Sequence, residues 1–181
     1  MALRSTIYKI DLHVSDSDRN YYNSHSLTVA QHPSETAERM MVRLVLFAIH
    51  AHEDLIFTKG LSDVDEPDIW IKDLTGQVQL WLEVGQPDEK RILKASSKSD
   101  KVVICAYSGQ ASKVWWGGIK NKIARAKNVQ VICFPQPITK ILASWVERGM
   151  QLHVNIQEGE IMVSGDKGQE SFSVEIFSRI E

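Results

Sequence analysis

Residues 66–85 decide the fold: Glu66-Pro67-Asp68-Ile69-Trp70-Ile71-Lys72, then Asp73-Leu74-Thr75-Gly76, then Gln77-Val78-Gln79-Leu80-Trp81-Leu82-Glu83-Val84-Gly85. Two β-rich runs flank a turn signal, which specifies an antiparallel hairpin. A loop at Thr75-Gly76 sets Trp70 opposite Trp81 and Asp68 opposite Glu83. Side chains alternate across a strand, so Asp68, Trp70, Trp81 and Glu83 share one face. Ile69, Ile71, Val78, Leu80, Leu82 and Val84 take the other. Both faces are apolar, and the sheet is expected to be covered on both sides.

Downstream, Pro87 opens a charged helix to about Ser97, and the pattern becomes strand (101–107), helix (111–127), strand (129–134). Such an order specifies a right-handed βαβ crossover and a parallel pair. A helix at 138–148 follows. Upstream, Pro33-Ser34-Glu35 opens a helix to about His52 with a broad apolar stripe, and short strands fall at 55–58 and 68–72. The two ends alternate with period two: a hairpin around the turn 15–20, and a meander through Leu152/Val154/Ile156, Ile161/Val163 and Phe172/Val174/Ile176. The reading is α/β with mixed α+β character: a mixed central sheet flanked by helices, antiparallel β additions at both termini, one domain over residues 1–181.

The 181 residues are 43% hydrophobic with ten glycines and five prolines, which excludes disordered and collagen-like classes. Neither a secretory h-region at the N-terminus nor an apolar run of membrane-spanning length is present, so a cytoplasmic protein without membrane attachment is expected; the chain is read as a monomer. Cys105 and Cys133 lie inside β-branched runs and read as core thiols. The six histidines lack HExxH spacing, and no Walker loop, GxGxxG or GxSxG motif occurs. Trp115-Trp116-Gly117-Gly118 reads as helix-on-sheet packing, with base stacking as the alternative.

Charge is segregated. Residues 35–89 hold 12 acidic side chains against four basic, whereas residues 90–127 hold ten basic against Asp100 alone. Carboxylates for a metal followed by cations for phosphates suit phosphodiester chemistry on nucleic acid, and solvated helix faces are the plainer alternative. Adjacent carboxylates in a covered sheet raise each other's pKa and are costly to desolvate. A shared divalent cation removes that conflict. Magnesium, with manganese as substitute, fits an oxygen-donor set of Asp68 and Glu83, with Glu38 on the first long helix as third ligand and Glu35 as a weaker choice.

Pro67-Asp68, 14 residues, then Glu83 resembles the PD-(D/E)XK nuclease motif. The chain as a whole, including His32-Pro33-Ser34-Glu35-Thr36-Ala37-Glu38-Arg39 and Trp81-Leu82-Glu83-Val84-Gly85-Gln86-Pro87-Asp88, resembles the bacterial YaeQ family. The resemblance implies a variant of the restriction-endonuclease-like fold without a settled activity. One departure matters: the slot of the motif lysine, two residues after Glu83, is Gly85. Either the cation has moved onto the helix, with Lys90 or Lys94 reaching back and Gln86 positioning a water, or catalysis is lost and a nucleic-acid- or protein-binding module remains. Lys101 is disfavoured because a parallel strand places it at the far end from Glu83.

Overall fold

The computed structural model describes residues 3–181. They form two compact units, one of residues up to 51 with 137–174, the other of residues 52–136 with 175–181.

In the first unit β1 (Thr6–Asp16) and β2 (Tyr21–Gln31) form the expected hairpin. α1 (Ala37–Ile49) begins later than Pro33 suggested, because Thr36 accepts the Arg39 N–H and caps the helix there. Nine of its residues are buried, which fits the broad apolar stripe. α4 (Gln136–Ala143) ends five residues short of the expected 148. β8 (Gly149–Gln157), β9 (Glu160–Gly165) and β10 (Gly168–Ser173) form the meander. The two terminal additions are one sheet: β8 pairs in parallel with β1, giving the order β10-β9-β8-β1-β2.

The second unit holds a six-stranded mixed sheet, assembled from β3 (Ile56–Phe57), β4 (Ile69–Lys72), β5 (Val78–Val84), β6 (Ser99–Ala106), β7 (Val129–Cys133) and β11 (Glu175–Ser178). Its order is β11-β7-β6-β5-β4-β3. β5, β6 and β7 are mutually parallel, as the strand–helix–strand pattern required. Phe172 and Ile176, expected on one strand, are divided: β10 ends at Ser173, and β11 joins the second sheet beside β7.

α2 (Glu89–Lys98) starts after Asp88, whose carboxylate caps the Arg91 N–H, rather than at Pro87. α3 (Gln110–Ile119) is shorter than expected, the chain continuing in turns after Gly117-Gly118, which weaken helix propagation. Ile92 and Ala95 of α2, Ile119 of α3, Trp81 of β5, and Val102 and Ile104 of β6 pack into one core, so both helices cover the same side of the sheet.

Candidate functional site

β4 and β5 pair as the alternation demands, Trp70 opposite Trp81 and Ile69 opposite Leu82. The turn differs from the two-residue loop. Asp73 N–H bonds Gln77 O, leaving a three-residue loop with Gly76 at φ +87°, and Lys72 pairs Val78 while Ile71 pairs Leu80. Gln79 is the extra residue of a bulge, which puts Val78 into the Trp81 core rather than on the Leu82 face.

Asp68, just before β4, is 3% exposed and Glu83 on β5 is 6% exposed. The Asp68 charge acts on Glu83, and each carboxylate is held by its own N–H donors. Asp68 N–H bonds Leu82 O at 3.1 Å, and its carboxylate accepts Val84 N–H at 2.8 Å where the β4–β5 pairing ends. Glu83 Oε2 accepts Trp81 Nε1–H at 3.0 Å, and Oε1 accepts Arg91 Nε–H. Burial pushes the Glu83 carboxyl above its ordinary range; the Trp81 and Arg91 donors oppose the rise, and the nearby Asp68 charge adds to it.

Arg91 is the residue that sequence reading missed. Beyond Glu83, its terminal nitrogens donate to Val64 O at 2.7 Å and Glu66 O at 2.9 Å, fastening the loop that precedes Asp68. The signal lay in the helix period of about 100° per residue: from the midpoint of the buried Ile92–Ala95 stripe, Arg91 lies about 70° away, Lys94 about 130° and Lys90 about 170°. Lys90 is accordingly exposed, and Lys94 reaches Asp65 in an exposed ion pair.

The remaining candidates are placed as follows. Gln86 donates to Ser112 Oγ at 3.2 Å, and Ser112 Oγ in turn accepts Ser108 N–H at 2.8 Å. Gly85 N–H bonds Cys105 O, with φ at +114°. A lysine there would need a backbone conformation that L side chains rarely adopt, which is a physical reason for glycine in that slot. Lys101 pairs Leu80, three positions before the Glu83 level, as parallel pairing predicted. In the first unit Glu38 accepts Thr139 Oγ1–H at 2.7 Å, and Glu35 is buried against Arg39 and Arg43. Among the described residues no group of three or more His, Cys, Asp or Glu side chains converges for a metal.

A family model described as "YaeQ protein" matches residues 1–175. The chain belongs to the YaeQ family. It is 42% identical over 164 residues to "Uncharacterized protein YaeQ" of Salmonella typhi, covering 91% of each chain, and 40% identical over 167 residues to that of Escherichia coli (strain K12), covering 92% of each. Solved YaeQ structures share the fold. That from Xanthomonas axonopodis pv. citri superposes with a TM-score of 0.93 at 44% identity over 96% of this chain and 98% of that one, and that from Pseudomonas syringae gives 0.93 at 40% over 97% of both. As in those YaeQ chains, the α/β architecture extends over both units.

The basic segment of this YaeQ chain lies on the covering layer. Lys90 and Lys98 on α2, and Lys120, Lys122 and Arg125 in the turns after α3, are exposed and form no ion pair with an acidic side chain among the described residues. Trp115 and Trp116 pack inward: Trp115 Nε1 donates to Pro87 O at 3.0 Å, and Trp116 stacks on Phe177 at 6.0 Å. Cys105 and Cys133 are free, buried thiols. Among the described residues no helix is long and apolar enough to cross a membrane.

Proposed function

We propose that the chain is a non-catalytic nucleic-acid-binding module built on a PD-(D/E)XK nuclease-like fold. The observation that carries the non-catalytic half is the state of Glu83: one carboxylate oxygen holds the Trp81 indole N–H and the other the Arg91 guanidinium. The conflict between buried carboxylates is thereby resolved by protein donors, with Val84 N–H serving Asp68. A magnesium ion at this pair would have to compete with the Trp81, Arg91 and Val84 donors for the carboxylate oxygens, which weighs against a resident metal. Gly85, at φ +114°, offers the motif lysine no relaxed place on this strand end.

The nucleic-acid half is supported by the side of the second unit that α2 and α3 cover, where five exposed cations form no ion pair among the described residues, Lys98 alone having an acidic neighbour, Asp65. Sequence-independent phosphate contacts of this kind release counterions, so affinity falls steeply with salt. Binding of a labelled oligonucleotide over a range of salt concentrations tests it. Lys98→Ala and Lys122→Ala should each weaken binding and reduce the salt slope by about one. No binding at low salt, or binding insensitive to salt, contradicts the reading.

The metal-dependent phosphodiesterase reading retains one favourable observation, two buried carboxylates of which Asp68 acts electrostatically on Glu83. It requires Arg91 to leave Glu83.

A further inference from the structure

The second unit has a cavity of about 170 Å³ between the turns that follow α3 and the tail of β11. Its floor is apolar, with Ile123 and Val129 5% and 4% exposed, and Trp116 forms a wall. Lys120, Lys127 and Arg179 line it as well. A bulge helps to build it. Between Ile176 and Ser178 the pairing of β11 with β7 slips, Val131 N–H turning to Ser178 Oγ at 3.1 Å, and Phe177 is directed onto Trp116. An acidic side chain already lies at this spot: Glu181 Oε2 sits 2.6 Å from Lys127 Nζ, with Glu181 N–H on Lys127 O at 3.2 Å. Lys120 and Arg179 are exposed and carry no acidic partner among the described residues.

We propose that this cavity binds a nucleotide phosphomonoester, with Lys120, Lys127 and Arg179 around the phosphate and the Glu181 carboxylate as the anion it displaces. The inference rests on the nucleic-acid reading and extends it, because Lys120 joins the cavity to Lys122 and Arg125 on the exposed basic layer. The size sets the ligand. A cavity of about 170 Å³ is smaller than the ~300 Å³ at which whole-ligand pockets begin, so it takes the phosphate end and leaves the remainder of the ligand outside. A free nucleotide and a phosphorylated strand end present the same group.

Two labelled oligonucleotides of one sequence, with a 5′-phosphate and with a 5′-hydroxyl, test this at low salt, beside thymidine 5′-monophosphate followed by tryptophan fluorescence. The phosphorylated strand should bind about tenfold more tightly, the weight of one or two charge-assisted hydrogen bonds at an exposed site. Arg179→Ala should abolish that preference while the hydroxyl strand still binds, and Glu181→Gln should enlarge it by removing the competing anion. Equal affinity for the two strands with no response to the mononucleotide overturns the proposal, as does a preference indifferent to both substitutions. Should neither strand bind, the nucleic-acid reading fails and the mononucleotide decides: saturable quenching lost in Arg179→Ala assigns the cavity to free nucleotides, and its absence overturns the site.

Discussion

Arg91 binds Glu83 through Nε and simultaneously holds the carbonyls of Val64 and Glu66 at 2.7 and 2.9 Å, so one guanidinium joins helix α2, strand β5 and the loop leading to Asp68. A lysine has a single nitrogen and no fork with which to reproduce three divergent contacts. The buried carboxylate pair is thus built into the scaffold.

Removing this cation should be costly. Arg91→Ala leaves Glu83 buried without its charge partner and releases two carbonyls, and since the Arg91 side chain is 30% exposed, a loss of about 2–3 kcal/mol is expected, below the 3–5 typical of fully buried pairs. Arg91→Lys should recover only part of it. Denaturant unfolding measures the loss, and faster amide exchange over residues 58–68 locates it. A change within about 0.5 kcal/mol would show the clamp to be ornamental.

Restoring the missing motif lysine should fail. Gly85→Lys places a side chain at φ +114°, with a strain of about 1–3 kcal/mol, although no atom blocks the new Cβ. Gly85→Ala should cost nearly as much, which separates backbone strain from the lysine charge. Full stability in Gly85→Lys together with magnesium-dependent cleavage would reverse the assignment.

Much of this was legible from periodicity. Trp70 and Trp81, two tryptophans flanked by aliphatic residues, set a register that the strands obey, and the apolar runs around 101–107 and 129–134 revealed the parallel core. What stayed hidden depends on single-residue events. One extra residue at Gln79 moves Val78 across the sheet, and a break after Ser173 sends β11 to the other sheet, neither of which leaves a periodic trace. For the site, two carboxylates in a sheet covered on both sides were readable, but their partners were not. A backbone N–H from Val84 has no sequence signature, and choosing Arg91 over Lys90 and Lys94 required measuring the helix phase from the Ile92–Ala95 stripe.

Glu83 should leave a mark on the pH dependence of stability. Burial holds its carboxyl above the ordinary 4.5, so the folded chain binds this proton more tightly than the unfolded one. The stability it contributes is fully present below the unfolded pKa and is lost as pH rises through the folded value. Glu83→Gln is neutral throughout, so wild-type stability minus variant stability should fall across that window. A flat or rising difference would mean that the Arg91 pairing outweighs desolvation.

The central claim, that the chain holds nucleic acid without cutting it, is tested most directly by following the fluorescence anisotropy of an end-labelled oligonucleotide over hours with excess protein and millimolar manganese at low salt. A rise on mixing is expected, then a level trace that Glu83→Ala and metal chelation leave unchanged. A rise followed by decay to the value of a short fragment, abolished by chelation and by Glu83→Ala, would contradict it and make Asp68 and Glu83 the metal-binding centre of an active nuclease.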